Sequence, residues 1–160
     1  MLPIRTILHP TDFSDRSGNA LHLAAALARD YHARLVLLHV LPRPVVALGE
    51  GVIPPDPGVV RDDARAQLDG LIVPGGVPVE RRLAEGDPAD VILHFARQTP
   101  ADLVVMGTHG RTGLGRVLMG SVAEQVVRKA PCPVLTVTAP FPAPAPGVPA
   151  GEALGVAGPL

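Results

Sequence analysis

The residues whose types and spacing are best suited to chemistry lie between Asp102 and Val122, where an apolar run is followed by closely spaced glycines. The run from Leu103 to Met106 is typical of a buried parallel strand, and a helical pattern begins near Ser121. The glycines between them are at positions 107, 110, 113, 115 and 120. Such a loop directs several free backbone N–H groups to one point, with the positive end of a helix dipole behind them. The pattern predicts a phosphate-binding loop; the alternative is a surface loop in which glycine supplies only flexibility.

Two common phosphate-binding motifs do not fit this loop. A P-loop requires a lysine at the position that Ser121 occupies, where it would reach the β and γ phosphates. A dinucleotide fingerprint, G-x-G-x-x-G, should follow the first strand, but the chain has HPTDFSDRS there, residues 9–17. Neither common class of nucleotide-binding motif therefore fits this loop.

The spacing Gly107-x2-Gly110-x9-Gly120-Ser121 resembles the ATP-binding signature of the universal stress protein family. The segment ILHPTDFSDRS, residues 7–17, resembles the first strand and loop of that family, and APCPVLTV, residues 130–137, resembles its last turn and strand. The resemblance extends to about residue 138. It implies an α/β nucleotide-binding protein of the ATP-binding subclass, usually a dimer and tied to survival under stress. The resemblance does not indicate a catalysed reaction.

Strand and helix patterns alternate along residues 1–138, which suits one domain. We expect a doubly wound five-stranded parallel sheet of order 3-2-1-4-5 with helices on both faces, similar to the adenine nucleotide alpha hydrolase-like fold. Pro10 should end the first strand. The predicted strands are 4–9, 34–40, 77–83, 103–106 and 134–138, and the predicted helices are 17–31, 59–71, 88–98 and 121–129.

The resemblance also implies where ATP would lie, in the crevice between the loops after strands 1 and 4. Adenine would lie against Val40 and the segment 10–12, with the ribose at Asp12 and flanked by Met106. The phosphates would lie over the glycines and the amide of Val122. The implied binding residues are Pro10, Thr11, Asp12, Val40, Met106, Gly107, Gly110, Arg111, Gly120, Ser121 and Val122.

Charged groups near the predicted phosphates are few. Arg111 and Arg116 could reach phosphate oxygens or could be solvated loop charges. Mg²⁺ or Mn²⁺ is therefore expected, bound through the phosphates. His109 is the best candidate for a general base, although a loop histidine is more often only exposed, so no catalytic residue is assigned.

Other polar residues have structural explanations beside functional ones. Asp12 either contacts the ligand or helps to cap the next helix, for which Ser14 or Asp15 is better placed. His9 and His39 lie in apolar strands and are expected to be satisfied core residues. The single cysteine, Cys132, is expected to be a packed structural thiol.

Composition restricts the class of partner. The chain has 14 basic and 15 acidic residues and only 2% aromatic residues, so nucleic acid is disfavoured as a partner. The N-terminal sequence lacks a signal-peptide pattern, and no apolar run approaches the roughly 20 residues that cross a bilayer. We expect a cytoplasmic protein that does not enter membranes.

The last strand, residues 134–138, should lie at an edge of the sheet and pair with its copy in a homodimer, as the resemblance implies. The segment 139–160 is rich in proline, glycine and alanine and is expected to be disordered. Three functions remain open: a nucleotide-dependent stress regulator or sensor with an unidentified protein partner, a slow ATPase or autophosphorylating enzyme, and a structural dimerisation module that binds no nucleotide.

Overall fold

Five strands alternate with four helices in the computed structural model, which describes residues 3–43, 56–108 and 119–138. The strands are all parallel, in the order β3-β2-β1-β4-β5, so the predicted fold is confirmed. The strands are β1 (Thr6–Thr11), β2 (Arg34–Leu41), β3 (Val79–Glu85), β4 (Leu103–Gly107) and β5 (Val134–Val137), and the helices are α1 (Asp15–Asp30), α2 (Pro57–Gly70), α3 (Pro88–Gln98) and α4 (Ser121–Lys129).

The sheet is covered on both faces. Helices α1 and α2 pack on one face over a core that contains Ile7 and Leu37, and α3 and α4 pack on the other over Leu8 and Val36. Because both faces are buried, the central strands read as almost continuous apolar runs, with β1 buried along its whole length. Within the described residues, every helix is too short or too polar to span a bilayer.

Capping residues explain where the helices begin. Ser14 caps α1, as expected, and its hydroxyl accepts a hydrogen bond from the Ser17 N–H at 3.2 Å. Asp87 caps α3 in the predicted way, with proline at the first helical position. Helix α2 begins before its predicted start at residue 59, because Asp56 caps it and Pro57 occupies its first position.

Asp102 ties together the amino ends of the two central strands. Its Oδ2 accepts hydrogen bonds from the backbone N–H groups of Arg5 at 2.8 Å and Thr6 at 2.9 Å. The Asp102 N–H in turn donates to the Thr6 carbonyl at 2.9 Å. This carboxylate sets β1 beside β4 at the edge opposite the predicted site, a role that the sequence did not indicate.

The expectation that Pro10 ends β1 is wrong. The strand continues to Thr11 and remains paired with β2 to its end, where Thr11 lies opposite His39. In this register the nitrogen of residue 10 faces β4 rather than β2, so the missing N–H costs the β1–β2 ladder nothing. Strand β5 occupies the predicted edge. The segment 139–160 lies outside the described residues.

Candidate ligand site at the carboxyl edge of the sheet

The two central strands separate at Pro10. Strand β1 pairs with β4 through Leu8 but pairs with β2 as far as Thr11. The next rung between β1 and β4 would need an N–H at position 10, opposite the carbonyl of Val105, and proline has none. The Nδ1 of His9 lies 2.8 Å from that carbonyl oxygen and donates to it, because a carbonyl can only accept. A side chain thus replaces the missing rung, and the β1–β4 ladder ends short of the carboxyl edge, where the crevice is predicted.

His9 is held in one tautomer by this bond. With the proton on Nδ1, the Nε2 atom carries a lone pair, and among the described residues it is the buried side-chain polar atom that lacks a hydrogen-bond partner. Burial lowers the pKa of His9 from 6.5 to about 4, although the bond to Val105 and the charge of Asp12 both oppose that shift. The ring is therefore neutral at pH 7. The expectation of a core histidine is confirmed by its burial, but only one of its two ring nitrogens is satisfied among the described residues.

The loop after β1 is tightly organised around Asp12. The half-buried Asp12 carboxylate accepts two hydrogen bonds through Oδ1, from the Ser14 N–H at 3.1 Å and the Ser14 hydroxyl at 2.6 Å. The Thr11 hydroxyl oxygen accepts from the Ser17 hydroxyl at 2.8 Å and from the Phe13 N–H at 3.2 Å. Asp12 therefore does not cap α1 itself but fixes the residue that does.

The end of β2 supports this loop from the side. His39 is buried, and its Nδ1 donates to the Thr11 carbonyl at 2.7 Å, so the expected core role is confirmed. The Phe13 ring packs against the His39 ring with centroids 4.2 Å apart. Val40 follows at the end of the strand and is 8% exposed. The ends of β1 and β2 thus form one continuous wall of the crevice.

Strand β4 supplies the opposite side. Met106 is buried and Gly107 is the last residue of the strand. A side chain at position 107 would bring its Cβ within 3.3 Å of the backbone carbon and oxygen of Arg16 in α1. Close approach of α1 is therefore one physical reason for glycine at this position, beside the predicted approach of a ligand.

The first amides of α4, beside the end of β4, have no acceptor among the described residues. The Gly120 N–H donates to the Thr108 carbonyl at 2.6 Å, which holds the helix start against the strand. The first helical bond runs from the Glu124 N–H to the Gly120 carbonyl, so the amides of residues 121–123 have no helical acceptor. The N-cap is Gly120, which has no side chain to satisfy them. These amides and the helix dipole suit an anion.

The structure brings most of the predicted residues to one edge. From β1 and its loop come Pro10, Thr11 and Asp12, and from β2 comes Val40. Met106 and Gly107 end β4, and Gly120, Ser121 and Val122 begin α4. Gly110, Arg111, Arg116 and His109 lie outside the described residues. Sequence reasoning missed Phe13 and gave His9 only a packing role; Pro10, directly after a histidine in a central strand, was the available signal.

Two of the clefts that described residues line contain none of Gly107, Gly120 and Ser121. One, of about 590 Å³, runs along α3 and includes Gly86 and Lys129. The other, of about 410 Å³, lies beside the Asp12 loop and α1. Because neither is lined by these three residues, neither is the predicted phosphate site.

Metal ligands are also limited in the described ranges. Residues 3–43, 56–108 and 119–138 contain no group of three or more His, Cys, Asp or Glu side chains placed to hold a metal ion. Cys132 is half-buried, and burial raises the pKa of its thiol, an effect that the charge of Asp102 reinforces. That environment fits the expected structural thiol rather than a metal-binding thiolate.

Comparison with known proteins agrees with this architecture. Residues 3–138 match the profile of the universal stress protein family. A universal stress protein of Methanocaldococcus jannaschii is 38% identical over 141 residues, which cover 85% of this chain and 83% of that protein.

Two solved structures are similar over nearly their whole length. The universal stress protein from Archaeoglobus fulgidus in complex with dAMP is 27% identical with a TM-score of 0.60, covering 85% of this chain and 98% of that one. A universal stress protein in complex with cAMP is 25% identical with a TM-score of 0.59, with the same two coverages. Sheet order, the matched residues 3–138 and these relatives agree, and the chain belongs to the universal stress protein family.

Proposed function

We propose that this protein binds ATP in the crevice between the carboxyl ends of β1 and β4 and acts as a nucleotide-dependent regulator or sensor in the stress response. The observation that carries the proposal is the position of two unlike groups on either side of that crevice. Asp12 stands on the β1 side, and the uncapped amides of α4 stand on the β4 side. A carboxylate suits ribose hydroxyls and free amides suit phosphates, so the pair matches the two polar ends of a nucleotide.

The adenosine half would be bound by the wall that β1 and β2 form. Val40 and the segment 10–12 would contact adenine, Asp12 would accept a hydrogen bond from the ribose, and Met106 would flank the sugar. Val40 and Met106 are apolar side chains at the ends of β2 and β4, in keeping with apolar surroundings for adenine there. The dAMP and cAMP complexes of the two relatives support an adenine nucleotide as the ligand class.

The phosphate half would be bound by the β4–α4 connection. The amides at Gly120, Ser121 and Val122 would donate to phosphate oxygens, assisted by Gly107, Gly110 and the guanidinium of Arg111. Mg²⁺ or Mn²⁺ would be bound through the phosphates, in keeping with the scarcity of metal-binding side chains in the described ranges. The role is binding; we expect no appreciable turnover.

The regulatory unit would be a homodimer formed through residues 134–138. Strand β5 lies at the edge of the sheet, where one row of backbone groups has no neighbouring strand among the described residues. Leu135 on this strand is 38% exposed and Val127 on α4 is 44% exposed, so apolar surface accompanies the open edge. Sedimentation equilibrium should give a mass of two chains, and a Leu135→Lys variant should shift it toward one.

Titration calorimetry tests the nucleotide proposal directly. Wild-type protein with MgATP should give saturable binding with one site per chain, and GTP should bind more weakly. Asp12→Asn should weaken ATP at least about tenfold, because a lost charge-assisted hydrogen bond costs roughly 1.5–3 kcal/mol. Asp15→Asn is the matched control, since Asp15 is an exposed carboxylate in the first turn of α1, and its affinity should stay within about twofold.

A second variant addresses the phosphate half. Gly120 has φ −72° and ψ 156°, a conformation that valine adopts without strain, so Gly120→Val should fold normally. Its branched side chain should obstruct the amides and reduce ATP affinity more than adenosine affinity. Absence of ATP binding by the wild type up to millimolar concentration would overturn the proposed function.

A further inference from the structure

Phe13 has a backbone conformation that its side chain disfavours. Its φ is 64°, in the left-handed region, where bulky residues rarely occur. His32 is the other non-glycine residue with positive φ in the described part of the chain, and it lies in the turn after α1. Such a conformation persists only where surrounding contacts impose it, and it is enriched at functional sites. The contacts of Phe13 therefore need to be identified.

Both the backbone and the ring of Phe13 are fixed to the ends of β1 and β2. Its N–H donates to the Thr11 hydroxyl oxygen at 3.2 Å. Its ring lies against the His39 ring, with centroids 4.2 Å apart and planes inclined by 32°. His39 is itself anchored by the 2.7 Å bond from Nδ1 to the Thr11 carbonyl, directly across the ladder. Thr11, Phe13 and His39 thus form a closed set of contacts around the loop.

Asp12 lies between Thr11 and Phe13, two of the residues that make these contacts. The left-handed turn at Phe13 brings Ser14 back, so that its N–H and hydroxyl both reach the Asp12 Oδ1. Two hydrogen bonds to one oxygen fix the direction of the carboxylate. If Phe13 relaxed to negative φ, the Ser14 amide would turn away and the carboxylate would lose that direction.

We infer that Phe13 and His39 are positioning residues that hold the Asp12 loop in its binding conformation and thereby set the affinity for the nucleotide. For its effect on affinity, the inference rests on the proposed function. Neither side chain has to touch the ligand. The pair acts by raising the fraction of molecules in which Asp12 is already correctly oriented, and the observed Kd scales inversely with that fraction.

Substitutions at His39 separate the two contacts. His39→Phe keeps an aromatic ring against Phe13 but removes the hydrogen bond to Thr11, whereas His39→Asn keeps a donor near the position of Nδ1 but removes the ring. The matched control is the other histidine–phenylalanine pair of the described chain, His94 and Phe95 on α3, with ring centroids 6.3 Å apart. His94 is exposed and lies away from the loop. His94→Phe and His94→Asn repeat the same chemical changes there.

Three quantities are measured on each full-length variant: amide hydrogen exchange at Phe13 and Ser14, the Kd for MgATP by calorimetry, and exchange in α3 as a reference. Each His39 variant should show about tenfold faster exchange at the two loop amides, about tenfold weaker ATP binding, and α3 exchange within about twofold of wild type. The His94 variants should match wild type at the loop and in Kd.

The outcomes distinguish this inference from the proposed function. Loop exchange and Kd that stay at wild-type values in both His39 variants would overturn the inference. So would equal acceleration at the loop and in α3, because that result means general destabilisation. If wild-type protein binds no ATP, the proposed function fails, and loop exchange alone decides whether the pair holds Asp12: selective acceleration supports it, and unchanged exchange refutes it.

Phe13 variants provide a rescue test of the backbone argument. Phe13→Leu removes the ring but keeps a Cβ at positive φ, while Phe13→Gly removes the ring and adopts φ 64° without penalty. Leucine should therefore accelerate loop exchange more than glycine does. The reverse order would show that the left-handed conformation does not depend on support from the ring.

Discussion

Acidification should destabilise the protein because the unfolded chain binds a proton at His9 more readily than the folded protein does. The ring is completely buried, its Nδ1 donates a hydrogen bond to the Val105 carbonyl, and its Nε2 has no partner within the described structure. Protonation would place a positive charge at Nε2 in apolar surroundings. This cost is the cause of the lowered pKa.

The magnitude follows from the two pKa values. The unfolded chain binds the proton near 6.5 and the folded chain only near 4. Between these values the unfolded state holds more protons, so the free energy of unfolding falls as pH falls, by about 1.4 kcal/mol per pH unit at most. The loss relative to neutral pH is about 2 kcal/mol at pH 5 and about 3 kcal/mol once pH is below 4. Above 6.5 this contribution is constant.

Urea unfolding at pH 7.5, 6.5, 5.5 and 5.0 measures this loss. His9→Asn is the comparison variant, since its amide can donate to the Val105 carbonyl but does not titrate. It should be less stable than wild type at pH 7.5 because a ring is lost, and its stability should fall less steeply with acid. The difference between the two curves should shrink by about 2 kcal/mol between pH 7.5 and 5.0.

A second histidine serves as the control. His22 is exposed on α1, so His22→Asn should reproduce the pH dependence of wild type. Parallel curves for wild type and His9→Asn would refute the reasoning, because they would mean that protonation of His9 costs the fold nothing.

Three further predictions concern stability and reactivity. Asp102→Ala should lower the free energy of unfolding by about 2 kcal/mol in urea, and Asp102→Asn by less, since its oxygen still accepts from the two strand amides; equal losses would contradict this account. Gly86→Ala should cost at least about 2 kcal/mol, because φ is 150° and the new Cβ would lie 2.8 Å from Val91 Cγ2. Gly18→Ala is its control, with no atom within 4 Å in α1, and should be neutral or stabilising by up to about 1 kcal/mol. Cys132 should react with a thiol reagent at pH 8 at least tenfold more slowly in native protein than in urea, because burial raises the pKa of the thiol and restricts access; comparable rates would exclude a packed thiol.

Most strands and helices could be predicted because their signals are local, and the sheet order followed from the rules that connect them in a doubly wound fold. Apolar runs mark the buried strands, and Asp87 followed by proline marks the start of α3. The start of α2 was missed because Pro57 stands in a proline-rich segment, and only the fold shows that this proline begins a helix rather than continuing a loop.

The errors at the site have a different origin. Whether Pro10 ends a strand depends on which neighbour its nitrogen faces, and that is fixed by the register with two strands distant in sequence. The same is true of Asp102, whose bonding partners are 96 and 97 residues away. Left-handed φ at Phe13 occurs together with a contact to His39, and no local preference of phenylalanine indicates either. The residues that contact the nucleotide stay predictions.

Because Pro10 has no amide N–H, substitution at this position would change how β1 pairs with β4. At the carboxyl edge of the sheet, β1 and β4 stop pairing because an N–H donor is missing, not because a large side chain forces the strands apart. No group therefore has to fill the gap to keep it open. An ordinary residue at position 10 would restore that donor, and the imidazole of His9 would then compete with the main chain for one oxygen. In this protein the imidazole of His9 thus takes the hydrogen-bonding position that an amide at residue 10 would otherwise occupy.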